Sequence, residues 1–230
     1  MMKVEEKQPE KKQRQKKAEE RHERITLDFM KKIESKISEL EKYSSVEFVP
    51  VLATRSSDYI TFRSAVTVAF TFVLFVALTS LPGSLVLWNL VWSVGAGAFV
   101  ASLLTFEPIL RWVLPTALKR AEVEEAAHRA FMRQEVFSTH ERTGVLIFIS
   151  ELEHGVFILA DRGIGDRIAS AEWATLSAQL AEDFNKRTPG DTFLAALQAR
   201  SDRLAPDFPP SDDNPNEISD EVRIDTDTYH

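Results

Sequence analysis

An α/β domain interrupted by a two-helix membrane hairpin is the architecture this sequence predicts, on three observations. Residues 65–81, AVTVAFTFVLFVALTSL, and 84–104, SLVLWNLVWSVGAGAFVASLL, are uncharged runs separated by little more than Pro82-Gly83. Behind them GVLIFIS at 144–150 and GVFILAD at 155–161 read as paired strands. Helical periodicity lies on both sides, at 25–42 before the apolar runs and from 116 and 170 after them.

Residues 3–24 hold nine Lys or Arg and six Glu. Their interleaved signs favour a solvated helix with i,i+4 pairs over a lipid-binding arm. No apolar segment follows them, so no secretory signal is expected. No dense basic face carries interleaved aromatics, and nucleic acid is not an expected partner. In ITLDFMKKIESKISELEK, 25–42, Ile25, Phe29, Ile33, Ile37 and Leu40 share one stripe, an amphipathic helix suited to packing on a sheet. SVEFVPVLA, 45–53, is β-branched and aromatic enough for a strand. Pro50 cannot donate to a ladder, which places that strand at an edge or a bulge.

The two apolar runs are 17 and 21 residues long, and a helix of about 20 spans a bilayer core. Neither holds an ionisable side chain, so no proton or ion path is indicated. They are apolar all round, and a chain of this size could not enclose them. Arg55 and Arg63 precede the hairpin, Arg111, Lys119 and Arg120 follow it, and the turn is uncharged. The positive-inside rule therefore predicts a multi-pass protein of the inner (cytoplasmic) membrane, with both termini and the soluble domain in the cytoplasm. Trp88 and Trp92 fit the outer interface and Trp112 the inner one. Gly95, Ala96, Gly97, Ala98 and Ala101 would allow close helix contact, and with it a hairpin-mediated oligomer.

After the hairpin a helix is expected over 116–137, with Leu118, Ala121, Phe131 and Phe137 inward. The two following strands are nearly continuous apolar runs, which suits a sheet covered on both faces. ELEH between them suits a hairpin turn. Helices at about 170–187 and 191–203 are separated by TPGD, where Pro189 and Gly190 stop the first and Asp191 caps the second. Residues 207–230 carry eight acids against Arg223 alone, which accounts for the net charge of −7. With few apolar residues, this reads as an acidic disordered tail. An even number of spans returns the chain to the side it left. Residues 25–59 and 116–206 can thus form one domain around a 60–115 insertion, with 1–24 as a charged arm.

The leading helix with SSVEFVPVLATRSSDY, then RTGVLIFISELEHGVFILADRGIGDRI, then Trp173 together resemble the TPM domain. That domain occurs in thylakoid-lumen photosystem repair proteins, bacterial membrane proteins and a nematode receptor auxiliary protein. The resemblance covers roughly 28–206 apart from 60–115, and FPPSDDNPNEISDEV is similar to the tail of a bacterial membrane-protein subgroup. It implies an α/β/α sandwich around a small mixed sheet. Some members are described as acid phosphatases or calcium binders, others as accessory subunits of membrane complexes. This chain departs from the pattern at Pro50 and in the split by a membrane hairpin. Its charges also place the domain inside, so a lumenal role does not carry over.

The absence of cysteine excludes disulfides, thiolate metal sites and a cysteine nucleophile. No G-x-x-x-x-G-K-[ST], G-x-G-x-x-G or G-x-S-x-G occurs, so nucleotide binding and serine hydrolysis have no support. Closing the hairpin at ELEH sets Gly144 opposite Asp161. His140, Arg142 and Thr143 then gather with Asp161, Arg162 and Asp166, while Glu151, Glu153 and His154 lie at the other end. If 45–53 ran parallel to 155–161, Asp58 would join the first group. Asp58, Asp161 and Asp166 would then offer hard oxygen ligands to Ca²⁺ or Mg²⁺. A phosphatase could use such a metal, with Arg142 or Arg162 holding the phosphate. The plainer reading is turn chemistry: the two aspartates flank Gly163 and Gly165, and the arginines pair with them at the surface. The sequence thus points to a membrane-anchored accessory or assembly factor of a membrane complex, without catalysis and with a membrane protein as partner. The alternative is a divalent-metal phosphatase.

Overall fold

The computed structural model describes residues 31–83, 85–139, 141–165, 170–184, 189–209 and 221–225. The charged arm at 1–24, His140 and Asp166 fall outside them. The described residues fall into two compact units, one within 31–52, 127–149 and 156–225 and the other within 53–126 and 150–155.

The first unit is built on a four-stranded sheet ordered β3-β2-β1-β4. Its strands are β1 (Glu47–Ala53), β2 (Gly144–Ser150), β3 (Gly155–Ala160) and β4 (Arg223–Asp225). Glu47 N–H donates to the Thr143 carbonyl, and Glu151 N–H donates to the Ala53 carbonyl. Both contacts advance together, so β1 runs parallel to β2, while the 151–154 turn makes β3 antiparallel and the sheet mixed. Every residue of β2 is buried. Its unbroken apolar run is what a central strand requires. β3 alternates between buried and half-buried positions, as an edge strand does. That edge is blunted by the helix α7 (Ser170–Phe184), whose Ser177 hydroxyl accepts the Ile158 N–H at 3.0 Å.

On one sheet face, Phe48, Leu52, Val145, Ile147, Ile149, Val156 and Ile158 meet Ile33, Ile37 and Leu40 of the helix at 31–40 (α1). Leu176 of α7 and Leu197 of α8 (Pro189–Leu204) complete this core, and Trp173 packs against it. Leu146 and Phe148 alternate with the first set and are equally buried, so the other face is covered too. There the His128 ring lies 5.9 Å from Phe157.

Several expectations need correction. Pro50 does not mark an outer strand, because β4 lies beyond β1. Glu47 and Ala53 bond towards β2, so Phe48 and Pro50 turn their nitrogens to the other side. The Phe48 N–H is taken there by Glu41 Oε1 at 2.9 Å, and Pro50 needs no partner. The tail from 207 is not structureless throughout. Phe208 is in the core, its carbonyl accepts the Ser45 N–H, and β4 extends the sheet. Arg133 pairs with buried Asp225 at 2.8 Å and Glu34 accepts the Val222 N–H at 2.9 Å. A few anchors docking on a finished sheet do not need a core of their own, which is why composition misses them. Pro189 opens α8 instead of separating two helices, since the first helical position needs no N–H.

The second unit holds α2 (Ile60–Thr79), α3 (Val86–Leu103), α4 (Glu107–Val113) and most of α5 (Thr116–Arg133). Both α2 and α3 are long and apolar enough to cross a membrane; α2 buries no residue and α3 only Ser93 and Gly97. A Cβ on Gly97 would lie 2.0 Å from Thr71 Oγ1, so the small stripe of α3 serves contact with α2. Gly95 has nothing within 4 Å. Thr67, Thr71, Thr79, Ser80 and Ser93 each donate a hydroxyl to the carbonyl four residues back. That internal satisfaction is what a lipid surround demands. α5 turns Val123, Ala126, Ala127, Ala130 and Phe131 inward and exposes Ala121, a correction to the expected face.

Candidate functional site

At the carboxyl end of β3, Arg142 and Asp161 of the predicted group come together. Asp161 N–H donates to the Gly144 carbonyl at 2.8 Å, which fixes the hairpin register. Arg142 reaches back to Asp161, with Nε 2.8 Å from Oδ2 and Nη2 donating to Oδ1 at 3.2 Å. Oδ1 also accepts the Arg162 N–H at 2.7 Å. The Asp161 carbonyl takes the N–H groups of Ile164 and Gly165, starting the short helix α6 (Arg162–Gly165). Gly163 is required here: its N–H donates to the Arg142 carbonyl, and a Cβ would meet the Glu141 carbonyl oxygen at 2.5 Å. Asp161 is buried, whereas Arg142 is half-exposed and stacks 5.7 Å from the Phe137 centroid. The carboxylate thus closes a turn and pairs with one arginine. The Arg162 residue is exposed.

Two members of the proposed ligand trio, Asp58 and Asp161, lie in different units, and the third lies outside the described residues. Because β1 is parallel to β2 and not to β3, its carboxyl end goes to the 151–154 turn. Asp58 therefore belongs with that turn in the second unit, Asp161 stays in the first, and Asp166 lies outside the described residues. No group of three or more His, Asp or Glu among the described residues is arranged to hold a metal ion.

The second unit contains a polar centre that sequence reasoning passed over. Glu153, in the ELEH turn, is buried. Its Oε1 accepts the Tyr59 hydroxyl at 2.5 Å and the Ser56 N–H at 3.1 Å. Its Oε2 accepts the Ser150 hydroxyl, which is in turn approached by the Ser56 hydroxyl at 3.0 Å. Tyr59 also belongs to an apolar cluster with Leu110, Leu114 and Leu152 that Phe62 and Leu118 flank. Tyr59 and His154 hold left-handed φ angles of 55° and 50°. Tyr59 immediately precedes α2, so Glu153 ties the entrance of the first apolar helix to the strand turn. A carboxylate that accepts from three such donors positions these segments. The signal available in the sequence was three ionisable residues within one four-residue turn between apolar strands.

Beside this centre lie two cations. Lys119 Nζ donates to the Arg111 carbonyl at 2.6 Å, and the Arg111 guanidinium lies against the His154 ring, with Nη2 2.9 Å from Nδ1. Burial depresses the Arg111 guanidinium below its ordinary value. Lys119 is depressed by burial and by Arg111, against a smaller upward pull from Glu153. With Pro108 and Trp112 these residues line an open cleft of about 400 Å³.

No protein-family model matches the chain, and no curated protein matches it. Among solved structures, it is similar to the solution structure of the BA42 protein from the psychrophilic bacterium Bizionia argentinensis. The two are 16% identical, with a TM-score of 0.52 over 86% of this chain and 92% of the other. At that identity the likeness speaks for the fold.

Proposed function

We propose that this chain is a membrane-anchored, TPM-like accessory or assembly module, held at the cytoplasmic face of the inner membrane by the α2–α3 hairpin. The carrying observation is the pair of exposed helices, long and apolar enough to cross a membrane, in covalent continuity with a sheet domain. Exposed Trp88 and Trp92 near one end, and Trp112 past the other, are spaced as interfacial belts. The five basic residues flanking the hairpin favour the cytoplasmic side. The engagement of Asp161 in an ion pair and a helix start supports a packed loop over a reactive one. The partner in this reading is another membrane protein.

A divalent-metal phosphatase acting at Asp161 and Arg142 is the competing reading. The full chain in detergent, assayed for phosphate release from an aryl phosphate with and without Ca²⁺ or Mg²⁺, separates the two. The accessory reading expects the same background in wild type and Asp161→Asn. Metal-dependent turnover that disappears in Asp161→Asn would replace it with the enzyme.

A further inference from the structure

We propose that the cleft between α4 and α5 is a binding site for the phosphate of an anionic phospholipid headgroup, gripped by Arg111 and Lys119 and flanked by Trp112. Only Leu104, Thr105 and Phe106 separate α3 from α4, so the cleft opens where the chain leaves the second apolar helix. Phe106 is 58% and Trp112 87% exposed, large apolar surfaces that a membrane interface would cover. Pro108, Arg111, Trp112 and Lys119 line about 400 Å³ between them, room for a headgroup.

The lining of this cleft carries two cations and no acid. Glu153, whose charge Lys119 feels, is bonded to Tyr59, Ser150 and Ser56 and does not line the cleft. The His154 ring against Arg111 offers no compensating charge, because a neutral imidazole carries one acceptor nitrogen and one N–H. Glu107 precedes Pro108 but is not part of the lining. Both cations are depressed by burial, so each gains from a neighbouring negative group. Two convergent cations recognise phosphate through charge-assisted hydrogen bonds. Basic pockets beside membrane helices bind anionic headgroups in the same way.

This site rests on the membrane reading of the hairpin, but its test in detergent does not assume that topology. The full chain would be titrated with phosphatidylglycerol and with phosphatidylcholine, and bound lipid counted by native mass spectrometry. Phosphatidylglycerol should bind preferentially, and Lys119→Gln and Arg111→Gln should each weaken it about fivefold. Arg120→Gln, one residue away and outside the lining, should leave it unchanged. Equal retention of the two lipids, or an equal loss in Arg120→Gln, would overturn the site. Inorganic phosphate displacing the lipid at equimolar concentration would overturn the lipid assignment in favour of a soluble phosphate compound.

Discussion

The two ends of the β2–β3 hairpin each bury one carboxylate, and they satisfy it in opposite ways. Asp161 faces a half-exposed arginine and the start of a helix. Glu153 accepts from neutral donors, two hydroxyls and one backbone N–H, and faces the Lys119 charge only electrostatically. The Arg142 side chain keeps half of its surface in water, so its pair with buried Asp161 is screened from one side and contributes about 1 kcal/mol. Enclosed hydroxyls have no such contact with water, and each one left unmatched costs about 1–3 kcal/mol. The first end is therefore replaceable turn chemistry. The second is a fixed joint at the root of α2.

Substitution should separate the ends by size of effect. Glu153→Leu removes the shared acceptor of the Tyr59 and Ser150 hydroxyls and the Ser56 N–H, and should cost about 3 kcal/mol or more. Denaturant unfolding of the detergent-solubilised chain reads this directly, and an unchanged midpoint would dismiss the joint. Tyr59→Phe removes one donor while keeping the ring, and about 1 kcal/mol should be lost in the same measurement. Asp161→Asn should fall below that, at about 0.5 kcal/mol, since it weakens a pair with an exposed partner. A larger loss than in Tyr59→Phe would reverse the ranking of the two ends.

The smallest effect is a matter of pH. The folded-state pKa of Lys119 lies below its unfolded value of 10.5, so between the two the unfolded chain binds more protons. Stability should therefore rise with pH across that window, and the burial cost should be fully present below it. Lys119→Gln should flatten this alkaline rise in melting temperature. A rise of equal size in the variant would assign it to another group.

Much of this fold was legible because burial leaves period and length in the sequence. GVLIFIS reads as a strand enclosed on both faces, and two uncharged runs around Pro82-Gly83 read as a helical hairpin. The Gly144–Asp161 pairing followed from a four-residue turn. What did not follow was the direction of β1 relative to the pair. That single sign sends Asp58 to the end of β1 that bears the ELEH turn. The Glu153 centre was hidden for a related reason: Ser56 and Tyr59 reach it across nearly a hundred residues of chain, and no local pattern records such a contact. Phe208 and β4 escaped because composition averages over a segment, whereas docking needs only a few anchors.

The central claim is that α2 and α3 cross a bilayer and leave the two halves of the sheet domain on one side. The chain has no cysteine, so single cysteines report without background. Ser80→Cys at the hairpin turn, Lys42→Cys after α1 and Asp202→Cys in α8 would each be exposed to a membrane-impermeant maleimide in intact cells and again after lysis. The account predicts labelling at position 80 from outside the cell, with 42 and 202 labelled only after lysis. Labelling of all three positions from the same side would contradict it.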